Sequence, residues 1–129
     1  MVFLAFSLII VSCRSQEWKS VKTERSRSGL YGFHIETLKS KQALSPDHVR
    51  VVVDSAESRN RAVVFWLIGI PKLIRACWIH EHLLGIVWDP TRERDGDEGN
   101  LIKLQEGGAL GDVRIGYWRQ NDAPNICPP

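Results

Sequence analysis

Ala62-Val63-Val64-Phe65-Trp66-Leu67-Ile68-Gly69-Ile70, followed by Pro71-Lys72-Leu73-Ile74-Arg75-Ala76 and on to Leu84, is the stretch on which the fold turns. Ala62 to Ile70 carries no charge, which is the length and composition of a strand covered on both faces, as in a parallel sheet. Pro71 suits the first position of a helix, and Gly85 offers its stop, so the spacing predicts a covering helix over Pro71 to Leu84. Ile86-Val87-Trp88 then reads as a short strand.

Upstream, Ser45-Pro46-Asp47 supplies a helix start: a capping hydroxyl, a proline with preset φ, and a carboxylate at the positive end of the dipole. Val49, Val52, Val53 and Ala56 fall at helical spacing, which predicts a second helix, although three consecutive valines also suit a strand. Tyr31 to Leu38 alternates as a strand, and Ser15 to Ser28 reads as a polar helix or linker. Downstream, Asp89 to Asn100 is a charged loop. Leu101 to Leu104 and Val113 to Trp118 are expected to form a C-terminal hairpin around Gly107-Gly108. The expected fold class is therefore α/β: a partial three-layer arrangement, a mainly parallel sheet with covering helices and a C-terminal β-hairpin.

The whole chain has 129 residues, 43% apolar and 25% charged, the balance of one folded domain and far from that of a disordered chain. Its net charge of +2 gives no general field for nucleic acid or anionic lipid, and the local basic run Arg14, Lys19, Lys22, Arg25 and Arg27 reads as a solvated face. Residues 1–13 are an apolar leader or a first buried strand, 14–29 a polar linker or helix, and 30–129 a partial α/β lobe. The segment is too short to span a bilayer, and a cleaved leader would place the chain outside the cell or at its surface. In that setting Cys77 and Cys127 can pair as a disulfide; two buried thiols fit the sequence equally.

The chemical motifs weigh against catalysis. His80 and His82 sit two apart, so on a helix they point in different directions and cannot share a zinc ion, and the three cysteines have no metal-site spacing. The sequence from Asp95 through Asp97 to Glu106 has a calcium-loop echo but places Gly99 and Asn100 where a ligand and a glycine are needed. Gly107, Gly108 and Gly111 lack the lysine of a phosphate loop, and no serine elbow is present. The five tryptophans lack the basic-aromatic module of a nucleic-acid platform. No enzyme activity, cofactor, metal or nucleic-acid partner is expected.

Three runs, Ser45 to Phe65, Leu73 to Trp88, and Asp95 through Leu101-Ile102-Lys103-Leu104-Gln105 to Trp118, together resemble the second lobe of receptor extracellular regions of the periplasmic-binding-protein type. That superfamily includes natriuretic-peptide-type receptor guanylate cyclases and class C G-protein-coupled receptors such as the GABA type B receptor. The resemblance implies a non-enzymatic receptor fragment acting through a receptor subunit or other protein and binding a small molecule only weakly. It also implies Trp66 and Leu67 as the positions nearest a ligand cleft. The independent reading of the residues gives a small secreted or lipid-anchored interaction protein instead.

Overall fold

The structure, a computed structural model, describes residues 17–40, 46–89, 101–104, 108–122 and 125–128. The described residues form strands β1 (Lys19–Arg25), β2 (Tyr31–Leu38), β3 (His48–Ser55), β4 (Arg61–Ile68), β5 (Ile74–His80), β6 (Leu83–Trp88), β7 (Leu101–Leu104), β8 (Gly108–Leu110) and β9 (Val113–Arg119). Two sheets result: a five-stranded one ordered β1-β2-β3-β4-β7 and a four-stranded one ordered β5-β6-β9-β8. Phe33, Ile35, Val49, Val51, Val53, Val64, Phe65 and Leu67 of the first sheet pack on Ile74, Ala76, Leu84, Ile86, Trp88 and Val113 of the second. The molecule is therefore a β-sandwich with a single core between its layers. Phe65 joins the layers, lying 5.3 Å from the Trp88 ring and stacked at 6.1 Å on Tyr117, whose hydroxyl donates to the Val64 carbonyl at 2.7 Å.

The α/β expectation is overturned: among the described residues the only helical element is a single 3-10 turn over Pro71–Leu73, and the pairings are antiparallel except β6 with β9. The helix expected to follow Ser45-Pro46-Asp47 is instead β3 over His48–Ser55. Val49, Val51 and Val53 alternate into the core while Arg50, Val52 and Asp54 point outward, and a helical stripe would have left Val51 on the polar side. Ser45, the expected capping residue, lies outside the described residues. The Asp47 carboxylate accepts the Ser40 amide at 2.9 Å, closing the β2–β3 connection rather than a helix end. The helix expected over Pro71 to Leu84 is the 3-10 turn, then β5, a turn at Glu81-His82, and the start of β6. Ile74 is already extended at φ −123°. The β-branched and aromatic residues at Ile74, Trp78 and Ile79 are at home on a pleated surface.

Ala62 to Ile70 does contain a strand, β4, but it is antiparallel to both β3 and β7. Ser15 to Ser28 contains β1, a strand whose residues are all exposed and which pairs with β2, where a polar helix or linker was expected. The C-terminal hairpin also has a different partner. β7 and β9 lie in different sheets, and β9 turns back on β8 through Gly111-Asp112. Gly111 has φ 58°, the left-handed setting required at the first place of a II′-type hairpin turn. Because the chain leaves for β7 in the other sheet between β6 and β8, β9 returns parallel to β6.

Candidate functional site on the outer face of the five-stranded sheet

The alternation that sends valines inward on β3 and Phe33 and Ile35 inward on β2 sends His34, Glu36, His48, Arg50 and Asp54 outward. In register, Glu36 sits opposite Arg50, and Arg50 opposite Trp66. Glu36 is only 7% exposed, and each of its oxygens is engaged: Oε1 accepts the Arg50 Nε–H at 2.8 Å and Oε2 an Arg61 Nη–H at 3.1 Å. The Arg50 guanidinium lies 4.0 Å over the Trp18 ring, a cation–π contact. Trp18 stands edge-on to Trp66 at 5.5 Å, and the Trp66 indole N–H donates to His48 Nδ1 at 3.0 Å. That bond leaves the neutral His48 ring with its proton on Nε2.

Beside this aromatic group lies a second chain of contacts. Thr23 Oγ1 is 3.0 Å from His34 Nδ1, His34 Nε2 bonds to Asp54 Oδ2, and Arg25 donates to Asp54 Oδ1 at 2.6 Å. Burial pushes the Asp54 carboxyl upward, but the hydrogen bonds from His34 and Arg25 outweigh it and hold the group below its ordinary value of 3.8. In composition, hydroxyl, imidazole and carboxylate form a nucleophile relay. However, Thr23 is exposed on an edge strand, and charge developing there would be solvated by water rather than by preorganised donors. What the face offers is a fixed polar and aromatic surface.

The residues singled out from the sequence are dispersed. Trp66 is on this outer face, whereas Leu67, its neighbour on β4, is 1% exposed in the core, so the two do not line one cleft. Cys77 and Cys127 form a disulfide that brings residues 125–128 across the outer face of the second sheet. Gly85 faces Cys77 in the ladder, and a Cβ there would fall 2.7 Å from Ile79 and 3.3 Å from Ile126. His80 ends β5, and His82 stands in the turn beside a shallow depression of about 540 Å³ lined by Gly111, Asp112, Val113 and Arg114. Glu81 is not a plain surface residue: it accepts from the Ser26 and Ser28 hydroxyls and from the Ser28 amide at 2.9 Å, linking the β1–β2 turn to the β5–β6 turn. Those bonds, Ser28's hydroxyl first, hold its carboxyl below the usual range. No group of three metal-binding side chains occurs among the described residues. The calcium-loop echo at Asp95, Asp97 and Glu106 and the apolar residues 1–13, expected as a leader or a first buried strand, lie outside the described residues.

Sequence reasoning missed Trp18, His34, Glu36, His48, Arg50 and Asp54. The usable signal was the polar phase of the alternation in Gly32-Phe33-His34-Ile35-Glu36 and His48-Val49-Arg50-Val51. Among the described residues no helix is long and apolar enough to cross a membrane. Compared with known proteins, the chain matches no family model, no curated protein sequence and no solved structure.

Proposed function

We propose that this chain is a non-enzymatic interaction module of an oxidising, extracellular setting, which binds a protein partner through the outer face of its five-stranded sheet. The observation that carries this reading is the preordering of Trp18, Arg50, Trp66 and His48 by one another on a face that the core does not use. Tryptophan and arginine dominate interface hot spots because they combine large contact area with directed donors. Holding them in place beforehand lowers the ordering cost of association. The disulfide supports the setting. Of the two readings the residues supported, the independent interaction protein is the one the preordered face favours.

The test is site-directed photocrosslinking in extracts of the organism that makes the protein. A photoreactive residue replacing Arg61, which is 53% exposed beside the face, is expected to give a dominant adduct. One replacing Asn121, exposed in the turn that follows β9, is expected to give none. Equal adduct patterns from the two positions would reject the face as the binding surface.

A further inference from the structure

The hydrogen-bonding state of the face specifies what it can receive. Both oxygens of Glu36 and both oxygens of Asp54 already take a donor from this chain. The donors are not exhausted. Among the described residues Arg50 uses only its Nε–H, Arg61 and Arg25 each use a single Nη, and His48 Nε2 has no partner. Among the described residues, the ion pairs of this face set three guanidinium groups, Arg25, Arg50 and Arg61, against two carboxylates, Asp54 and Glu36. Free guanidinium and imidazole N–H groups on a face whose carboxylates are already ion-paired favour an occupant that is rich in acceptors and negative, since it gains charge-assisted hydrogen bonds without competing with the internal pairs.

We propose that the partner presents an acidic peptide segment to this face, its carboxylates reaching Arg61, Arg25 and His48 Nε2 while its apolar side chains rest against Trp18 and Trp66. This rests on the interaction reading above. Arg25 and Arg61 carry the accessible charge, with side chains 47% and 53% exposed, whereas Arg50 is 20% exposed and serves as the fixed centre. An acidic glycan is the competing anion. Stacking sugar rings calls for flat, open indole faces in a common plane, but the planes of Trp18 and Trp66 stand at 84° and Arg50 covers one face of Trp18. The geometry therefore favours peptide over glycan.

The experiment titrates the full chain with an oligoglutamate peptide, an oligolysine peptide of equal length and a sulfated oligosaccharide, following binding by calorimetry and by amide chemical shifts. Oligoglutamate is expected to bind, to weaken with added salt, and to shift amides of β1 to β4 rather than β5, β6 and β9. Arg61→Gln is expected to weaken it about three- to fivefold, the scale of one exposed ion pair. Arg114→Gln, on the other sheet, is expected to leave it unchanged and serves as the folding control. Oligoglutamate binding no tighter than oligolysine, shifts on the second sheet, or binding of the sulfated oligosaccharide alone would each overturn the acidic-peptide assignment. If a face-specific crosslinked adduct persists when oligoglutamate fails, the chemistry assigned to the partner is wrong and the interaction reading stands. Loss of both removes that reading too.

Discussion

At the scale of single residues, Asp54 is the most instructive position. It faces out from β3, is 17% exposed, and is held ionised by His34 and Arg25 against the pull of its own partial burial. A carboxyl whose folded-state pKa lies below its unfolded value stabilises the fold at pH above the unfolded value, and this contribution disappears as pH falls through the folded value. Urea midpoints measured from about pH 7 down to about pH 2 should therefore decline for the natural chain below the ordinary carboxylate range. Asp54→Asn should begin lower at neutral pH and converge with it in acid. A constant gap across the whole range would mean that the charge of Asp54 contributes nothing. The site itself was partly legible at this scale. His34 and Glu36 alternate with Phe33 and Ile35 in the sequence, and a period-two reading assigns them to a solvent face. Trp18 was not legible, because only pairing between β1 and β2 brings it to Arg50 across the sheet.

At the scale of elements, two segments show where local pattern is ambiguous. Val49-Arg50-Val51-Val52-Val53-Asp54 satisfies a strand and a helix nearly equally, and the decision falls to Val52. In the sandwich Val52 sits on the outer face yet is 2% exposed, sheltered opposite His34 and Val63, so its hydrophobicity carries no information about phase. Pro71 likewise opens a turn that stops after Leu73, because the next residues find extended partners on β6. By contrast, β2 and β4 were legible, the first by alternation and the second by its uncharged apolar run. The element most dependent on a covalent tie is the C-terminal segment at 125–128. Cys127 is 1% exposed, and its carbonyl accepts from Arg75 at 2.7 Å. The sequence separation of 50 between the paired cysteines corresponds to about 4 kcal/mol of loop-closure entropy removed from the unfolded chain. Cys77→Ala with Cys127→Ala should lower unfolding stability by an amount on that scale in denaturant titrations. A loss below about 1 kcal/mol would indicate that the segment is held by Arg75 and Ile126 without the bond.

At the scale of the whole molecule, the order of the chain through the two sheets governs how the fold can be reached. β1 to β4 form a meander whose neighbours in space are neighbours in sequence. The second sheet cannot close the same way: β6 waits for β9, with Leu83 opposite Arg114 and Trp88 opposite Arg119, and the chain must first send β7 to the edge of the other sheet against β4. Loop-closure entropy is therefore lost before the parallel ladder returns any contact, which is the condition for slow folding. The meander is expected to form first, with β8 and β9 docking last. Its natural reporter is the cross-sheet contact of Phe65 with Tyr117 and Trp88. In stopped-flow refolding with the disulfide intact, Ile115→Val on β9 should chiefly accelerate unfolding, while Ile35→Val within the meander should chiefly slow folding. The reverse partition would place the β6–β9 ladder in the nucleus. It would mean that the parallel crossover, rather than the β1–β4 meander, organises this sandwich.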